Sequence, residues 1–253
     1  MKKLVIYSCV TGSYDKIERP SVQVPWADWV CFSTEELNDE LWQFRRISTN
    51  SSLGPILQSR QYKLNPHLYF PEYEYSLWID GNIGLSSEEI FHIIEAKMSE
   101  GVLYSGIHHP ERDDVYEESL RILMGRREKA SSLRKTVRFL KKEGFPEHWG
   151  LMENNVILRK HNDPEIIRFD ELWWSMLKRY SHRDQMSQSY CLWKCGITPD
   201  YLLPEGYSAR NHPAFTYRMH GPVYVKGKSL KARYQDAVAA LRVFFYRVFL
   251  NSL

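Results

Sequence analysis

The segment Asp80-Gly81-Asn82 places a carboxylate and an amide two residues apart, directly after the apolar run of residues 75–79. In an open α/β sheet, ligands bind at the carboxyl ends of the strands, so binding groups are expected at this position. Gly81 lets the chain turn sharply, and carboxylate and amide oxygens suit Mg²⁺ or Mn²⁺. We predict that Asp80 and Asn82 bind a divalent cation. An ordinary Asp-Gly turn leading out of a strand is the alternative.

A second polar group, Arg183-Asp184-Gln185, stands at the start of a helical segment that ends at Gly196. Asp184 suits an N-cap there, because its carboxylate would accept hydrogen bonds from backbone N–H groups. A buried carboxylate beside an arginine has a second use. It stabilises positive charge that develops on a sugar ring, or it acts as a general base.

Two further segments suit a nucleotide diphosphate. Residues with turn chemistry follow the first apolar run, where backbone groups and an aromatic ring would hold a base: Thr11, Gly12, Tyr14 and Asp15. Arg60 and Lys63 lie three residues apart on one face of a helical segment, a spacing that lets two cations clamp a diphosphate. A solvated basic face is the alternative for this pair.

Glu153-Asn154-Asn155 is a run of three polar residues before an apolar segment, which is typical of a solvated loop leading into a strand. His212 and His220 lie in a late, irregular segment. A lone histidine is usually structural, although a late histidine also completes some metal sites.

The composition excludes several classes of protein. Of 253 residues, 43% are hydrophobic, which excludes a disordered chain. No uncharged apolar run of about 18 residues occurs, so no transmembrane helix is expected, and the first residues lack the features of a signal peptide. The four cysteines form no CxxC pair, which predicts reduced thiols in a cytoplasmic protein. A net charge of +3 is too small to indicate a nucleic acid partner.

The elements that must position these residues alternate along the chain. Apolar, strand-like runs occupy residues 4–9, 29–32, 75–79, 102–107 and 155–158, and segments with helical periodicity separate them. One such segment, residues 113–143, is highly charged. Strands that alternate with helices predict an α/β fold, with a mainly parallel sheet flanked by helices in one domain of residues 1–225.

These segments occur in the order seen in one known family. They are Thr11-Gly12-Ser13-Tyr14-Asp15, Ser59-Arg60 with Lys63, Trp78-Ile79-Asp80-Gly81-Asn82, residues 153–159, Trp173-Trp174 and residues 181–185. From residue 4 to residue 220 the chain resembles the plant mucilage-related glycosyltransferase-like domain family, formerly domain of unknown function 616, which also has bacterial members. The Trp-Ile-Asp-Gly-Asn and Arg-Asp-Gln segments are specific in combination.

The resemblance implies a GT-A type glycosyltransferase with a Rossmann-like fold, which binds a nucleotide sugar, a UDP-sugar being favoured, together with Mn²⁺ or Mg²⁺. The order of motifs is more remotely similar to that of glycosyltransferase family 8. By that likeness Asp80 and Asn82 take the place of an Asp-x-Asp metal-binding motif, and His220 is a third metal ligand. Asn82 departs from this motif because it replaces an aspartate, and the residues after His220 also depart from the family's pattern, so His212 stays a rival ligand.

The same likeness implies roles for the remaining polar residues. Asn154 and Asn155 face the donor sugar, and Arg183, Asp184 and Gln185 lie beside the reacting centre. This agrees with the chemistry of glycosyl transfer, because the leaving diphosphate needs cations and the oxocarbenium-like centre needs carboxylate or amide oxygens. Residues after a predicted strand are expected on the acceptor side: His108, His109, Arg112 and Glu117.

Residues 226–253 differ from the rest of the chain. They carry six Lys or Arg residues and one acidic residue, hence +5, whereas the remainder carries −2. Apolar residues recur there at helical spacing: Val238, Leu241, Phe245, Val248 and Phe249. A basic amphipathic helix suits an anionic membrane surface, which would place the protein at the inner face of a membrane. A helix docked on the domain or on a partner chain is the alternative.

The sequence therefore predicts a glycosyltransferase of surface polysaccharide biosynthesis. Its partners would be a nucleotide-sugar donor and an oligosaccharide, polysaccharide or glycolipid acceptor. A glycan- or nucleotide-sugar-binding module without turnover is one alternative, because Asn82 weakens the predicted cation site. A metal-dependent hydrolase that uses the same carboxylates is the other.

Overall fold

The structure is a computed structural model that describes residues 2–11, 16–219 and 230–252. The strands among these residues are β1 (Lys2–Val10), β2 (Ala27–Ser33), β3 (Gln43–Arg46), β4 (Tyr73–Ile79), β5 (Ile83–Leu85), β6 (Tyr104–His108), β7 (Met152–Arg159), β8 (Asp200–Tyr201) and β9 (Phe215–Tyr217). The α-helices are α1 (Gly54–Leu64), α2 (Glu88–Ser99), α3 (Val115–Met124), α4 (Ala130–Lys142), α5 (Pro164–Arg179), α6 (Gln188–Cys195) and α7 (Leu230–Asn251).

Seven strands form one sheet in the order β3-β2-β1-β4-β7-β6-β8. The pairs β1–β2, β1–β4, β2–β3 and β6–β8 are parallel, whereas β7 runs antiparallel to both of its neighbours, β4 and β6. The sheet is thus mainly parallel and flanked by helices. This confirms the α/β, GT-A-like fold expected from the sequence.

Both faces of the central strand β1 are buried. Leu4 and Ile6 pack in the same apolar cluster as Ile94 of α2, whereas Val5 and Tyr7 pack in the cluster that holds α1, α5 and α6. Successive side chains of a strand point to opposite faces, so a strand covered on both sides is apolar throughout. This accounts for the continuous apolar run at the start of the chain.

The strand β7 is longer than expected. The sequence predicted a strand over residues 155–158 and a loop at Glu153-Asn154-Asn155, but β7 begins at Met152 and these polar residues are buried within it. Pairing with β6 satisfies the backbone there, with Ile107 opposite Glu153. Because β7 is reversed, its first residues lie at the carboxyl ends of β4 and β6. The loop interpretation was therefore wrong, because tertiary pairing outweighed local polarity.

Other elements differ in detail from their predictions. The charged stretch of residues 113–143 forms two helices, α3 and α4. The segment predicted as one helix after Arg183 is a 3₁₀ turn, Asp184–Met186, followed by α6. Two short strands that the sequence did not indicate, β5 and β9, pair with each other in a separate antiparallel sheet.

The C-terminal helix α7 docks on the body of the protein. Tyr246 is buried, and its hydroxyl donates to Ser119 Oγ of α3 at 3.1 Å. The Arg138 guanidinium of α4 lies 4.9 Å from the centre of the Phe249 ring. The boundary predicted between residues 225 and 226 lies outside the described residues. Within the described ranges, no helix combines the length and the apolarity needed to cross a membrane.

A buried ion pair connects the sheet to the helices behind it. Arg159 of β7 donates to Asp170 Oδ1 of α5 at 2.6 Å, and neither side chain is exposed. The other terminal nitrogen of Arg159 donates to the Tyr7 hydroxyl of β1 at 2.6 Å and to the Lys63 carbonyl of α1. One guanidinium therefore fixes the end of α1 relative to the centre of the sheet.

Asp170→Asn should destabilise the protein strongly, because it leaves the Arg159 charge buried without a counter-ion. We expect the free energy of unfolding, measured by urea denaturation, to fall by about 3–5 kcal/mol. Lys194→Ala is the control, since Lys194 pairs with Glu143 at an exposed position and such pairs contribute less than about 1 kcal/mol. Similar losses in the two variants would contradict a central role for the buried pair.

Candidate active site at the carboxyl edge of the sheet

The polar residues singled out in the sequence meet at one edge of the sheet. Asp80 directly follows β4, and its backbone N–H donates to the Asn155 carbonyl of β7 at 2.8 Å. His108 ends β6, and Met152 at the start of β7 is paired with it. Because β7 is reversed, its first residues join the carboxyl ends of the parallel strands, where α/β folds bind ligands.

The centre of the site is the ammonium group of Lys63, which is completely buried at the end of α1. Its Nζ lies 2.7 Å from Asp184 Oδ2 and 3.5 Å from Asp80 Oδ1. The same nitrogen donates to the Asn154 carbonyl. A single buried cation therefore connects the segment after β4, the start of β7 and the 3₁₀ turn at residue 184.

Asp184 is held as a carboxylate. Burial alone would raise its pKa, but Arg60, whose Nε lies 3.2 Å from Asp184 Oδ2, and Lys63 together outweigh burial and hold the pKa well below its usual range. Burial lowers the pKa of Lys63, and Asp184 and Asp80 oppose that effect. The alternative role of Asp184 as a helix N-cap is wrong, because Asp184 lies inside the 3₁₀ turn and Ser187 is the N-cap residue of α6.

The two residues of the predicted diphosphate clamp, Arg60 and Lys63, have different environments in the structure. Lys63 is an internal counter-ion for two carboxylates, whereas the Arg60 side chain is partly exposed. Thr11 anchors α1, because its hydroxyl donates to the Pro55 carbonyl at 2.9 Å. The neighbouring predicted residues Gly12, Tyr14 and Asp15 lie outside the described residues.

The Asp80-Gly81-Asn82 segment is held by neighbouring chain segments. Trp78 Nε1 donates to Asp80 Oδ1 at 2.7 Å, and the Gly81 carbonyl accepts from the Glu18 backbone at 2.7 Å. Asn82 is buried, and its Nδ2 donates to the Arg218 carbonyl at 2.8 Å. The Arg218 N–H donates back to the Asn82 carbonyl at 3.0 Å, so the segment after β9 is bound directly to this turn.

The donor groups of this turn fit a hard divalent cation. Asp80 supplies a partly exposed carboxylate and Asn82 an amide oxygen, which are ligand types suited to Mg²⁺ or Mn²⁺. In the part of the chain that the structure describes, no group of three or more His, Cys, Asp or Glu side chains is arranged to hold a metal ion. His220 lies outside that part, two residues after Arg218. The rival ligand His212 uses Nδ1 to accept from the Ala214 backbone at 3.2 Å.

The start of β7 carries buried amides with unused hydrogen-bonding capacity. Asn154 is buried, and neither its Oδ1 nor its Nδ2 has a partner among the described residues. Asn155 Nδ2 donates to Glu153 Oε2 at 3.3 Å, while its Oδ1 has no partner within the same ranges. Buried polar groups are normally satisfied, so unsatisfied amides beside a charged cluster suggest a ligand with hydroxyl groups.

Two residues of the site were not predicted from the sequence. Glu153 is buried, and burial raises the pKa of its carboxyl group although Arg210 partly opposes this. Arg210 lies 3.3 Å from Glu153 Oε1 and packs over the Tyr217 ring. The polarity of Glu153 ahead of an apolar segment was a usable signal, whereas Arg210 lies in an irregular segment without any pattern.

The residues predicted on the acceptor side form the far end of this edge. The His108 ring stacks on Tyr201, and His109 Nδ1 accepts from the Arg112 backbone at 3.1 Å. Arg112 Nε donates to Glu118 at 2.7 Å, whereas Glu117 is exposed on the first turn of α3. Glu118, rather than the predicted Glu117, is therefore the carboxylate that binds Arg112 at the acceptor end.

The two residues beside Asp184 lie at the same edge. Gln185 Nε2 donates to the Met152 carbonyl at 3.1 Å, which ties the 3₁₀ turn to the start of β7. The positive charge of Arg183 helps to lower the pKa of Asp184. Apart from Glu117, the predicted site residues within the described ranges thus lie along one edge, from Thr11 and Arg60 at one end to Arg112 at the other.

A mainly parallel sheet with carboxylates, amides and cations gathered at its carboxyl edge is the architecture of a GT-A-like domain. The family of the TOD1/MUCI70, glycosyltransferase-like domain matches residues 1–203. The chain belongs to this family, which confirms the resemblance seen in its motifs. The more remote likeness to glycosyltransferase family 8 stays a prediction.

A curated relative is the probable hexosyltransferase MUCI70 of Arabidopsis thaliana, which is 28% identical over 213 residues. The aligned region covers 74% of this chain and 36% of the plant protein, so the chain spans about a third of the relative's length.

The pKa values of His109 and His148 should be shifted in opposite directions from the ordinary value of a histidine. Burial and the nearby Arg112 lower the pKa of His109 to about 4, whereas the exposed His148 has its pKa raised by a hydrogen bond with Asp113. NMR titration of the imidazole signals should show His109 neutral at pH 5.5 while His148 is charged, pH 5.5 being about midway between these ranges. A His109 pKa near its ordinary 6.5 would contradict the buried contact.

The same shift makes stability depend on pH. The unfolded chain takes up the His109 proton near pH 6.5 and the folded chain only near pH 4, so this group lowers the stability of the folded state as the pH falls through that window.

Proposed function

We propose that this chain transfers a hexosyl group from a nucleotide-diphosphate donor, with a UDP-sugar favoured, to a glycan acceptor in surface polysaccharide biosynthesis. The observation that carries the proposal is the buried Lys63–Asp184–Arg60 cluster beside Asp80 at the carboxyl edge of the sheet. The family and the hexosyltransferase name of the plant relative support the same class of reaction.

The leaving diphosphate needs positive charge. Three cations surround two carboxylates at the donor end, namely Arg60, Lys63 and Arg183 against Asp80 and Asp184. The cluster therefore contains one more basic than acidic side chain, and the partly exposed Arg60 and Arg183 are the members placed to contact a phosphate. Fixed cations in a partly desolvated site stabilise developing negative charge more strongly than water does.

A divalent cation, Mn²⁺ or Mg²⁺, is part of the proposal. Asp80, Asn82 and His220 would hold it, and the hydrogen bonds between Asn82 and Arg218 support a role for the segment that leads to His220. When bound, the cation supplies positive charge to the diphosphate as it leaves. Lys63 remains bound to Asp184 and fixes the orientation of Asp80 from the protein side.

Asp184 serves the reacting sugar as a fixed negative charge. A general base works best when its pKa lies near the working pH, and the pKa of Asp184 is held far below that by Arg60 and Lys63. A carboxylate that stays charged instead stabilises the oxocarbenium-like centre. The unsatisfied amide of Asn154 would bind hydroxyl groups of the same sugar.

Glu153 is the better proton acceptor, because burial raises the pKa of its carboxyl group. In the transfer, the bond between the anomeric carbon and the diphosphate oxygen breaks, and a bond from that carbon to the acceptor oxygen forms. The acceptor hydroxyl loses its proton to Glu153, and the nucleoside diphosphate leaves with the bonding electrons. Arg210, 3.3 Å from Glu153, would orient the carboxylate.

Asp184→Asn and Glu153→Gln should slow the reaction in distinguishable ways. With a panel of UDP-, GDP- and CMP-sugars and Mn²⁺, we expect nucleotide release by Asp184→Asn to fall by about 10²–10³ at every pH. Glu153→Gln should lose a factor of about 10²–10⁴, together with the acidic limb of the pH–rate profile. Glu95→Gln, which changes an exposed carboxylate on α2, is the control.

The two alternatives have their own outcomes in this assay. Donor binding without turnover in a folded sample would identify a binding module, and hydrolysis of a substrate without any nucleotide would identify a hydrolase. Either result would overturn the proposed transfer.

Metal dependence is tested by chelation. We expect EDTA to abolish activity and Mn²⁺ or Mg²⁺ to restore it, because the cation neutralises the leaving diphosphate. Asp80→Asn should weaken the cation's apparent affinity by about tenfold or more while the fold is retained, as judged by circular dichroism. Full activity in EDTA would instead assign charge neutralisation to the partly exposed Arg60.

A further inference from the structure

Helix α7 presents an apolar stripe to solvent. Its members recur at i, i+3, i+4 and i+7, which is the spacing of one helix face, and are exposed to 58%, 60%, 62% and 53% respectively: Leu241, Phe244, Phe245 and Val248. Tyr246 lies on the other side of the helix and is bound to Ser119. Because Tyr246 fixes the rotation of the helix, the apolar stripe is held outward.

A basic surface adjoins this stripe. Residues 121–142, which cover the end of α3 and all of α4, contain nine Lys or Arg residues and one Glu, a net charge of +8. Arg134, Arg138 and Lys142 recur at i, i+4 and i+8 on one face of α4, and Arg138 contacts Phe249 of α7 at 4.9 Å. The acidic residue Glu128 accepts hydrogen bonds from residues 181 and 182 of the body.

The small net charge of the whole chain, +3, hides an uneven distribution of basic and acidic residues along it. Helix α7 adds four Lys or Arg residues and one Asp, a net charge of +3. The remaining residues carry 21 basic and 29 acidic side chains, a net charge of −8. The excess of positive charge therefore lies in residues 121–142 and in helix α7.

We propose that α7 and α4 form a docking surface for an anionic lipid bilayer. The exposed Phe and Leu side chains would enter the boundary between headgroups and acyl chains, while Arg247 and the cations of α4 bind lipid phosphates. A second copy of the chain fits this surface less well, because dimerisation through the stripe would bring two strongly positive faces together.

Vesicle co-sedimentation of the full chain tests the proposal. We expect binding to phosphatidylcholine vesicles that contain about 30 mol% phosphatidylserine and little binding to pure phosphatidylcholine. Binding should weaken when salt is raised from about 0.1 M to about 0.5 M, because salt screens the cations. The double variant Phe244→Ser/Phe245→Ser should reduce the vesicle partition coefficient at least tenfold, about the loss of two buried aromatic anchors.

A matched pair of variants separates charge from apolar contact. Arg127→Gln/Lys142→Gln should lower partition into anionic vesicles by about 20-fold and leave binding to neutral vesicles unchanged. Ile56→Ser/Leu68→Ser, which changes two equally exposed apolar residues on another surface, is the control and should bind anionic vesicles like the unmodified chain.

Two results would overturn the proposal. In the first, the folded full chain fails to bind anionic vesicles, or Phe244→Ser/Phe245→Ser binds them as well as the unmodified chain. In the second, sedimentation velocity shows a dimer that this variant abolishes, with no vesicle binding. The second result would assign the stripe to self-association.

Discussion

The contact between the Lys63 ammonium and the Asp184 carboxylate is the constraint on which the site depends. Both groups are removed from water, which costs several kcal/mol per ion unless each finds close partners of opposite charge or hydrogen-bonding groups. Lys63 finds Asp184, Asp80 and the Asn154 carbonyl, and Asp184 finds Lys63 and Arg60. The helix α1, the end of β4, the start of β7 and the 3₁₀ turn must therefore meet at one point.

The reversed strand β7 makes that meeting geometrically feasible. In a fully parallel sheet, the residues between β4 and β6 at this edge would belong to the carboxyl end of a strand. The reversal instead brings the start of β7 there, so Glu153 and Asn154 lie beside Asp80. Farther along the same strand, Arg159 binds Asp170, Tyr7 and the Lys63 carbonyl. One strand thus supplies both the polar groups of the site and the anchor that positions Lys63.

Local sequence was sufficient to place Asp80 directly after an apolar strand and Arg60 and Lys63 on one helix, and it predicted the mainly parallel sheet. It did not indicate that Lys63 is buried as a counter-ion. Local sequence did not indicate the contacts between segments that are far apart in the chain. The hydrogen bonds of Asn82 with Arg218 and the pairing of Glu153 with Arg210 join residues far apart in the chain, and β5 and β9 are strands only because they pair with each other.

Helix α3 connects the acceptor end of the site with the C-terminal helix. Consecutive residues of α3 make the two contacts, since Glu118 binds Arg112 at 2.7 Å and Ser119 accepts from Tyr246 at 3.1 Å. The position of Arg112 and His109 is therefore set by the helix on which α7 rests. If α7 lies on a bilayer, α7 and α3 stand between that bilayer and the acceptor end, a distance of about two helix diameters, roughly 20 Å. Under the proposed function, this arrangement favours a glycolipid over a soluble oligosaccharide as the acceptor.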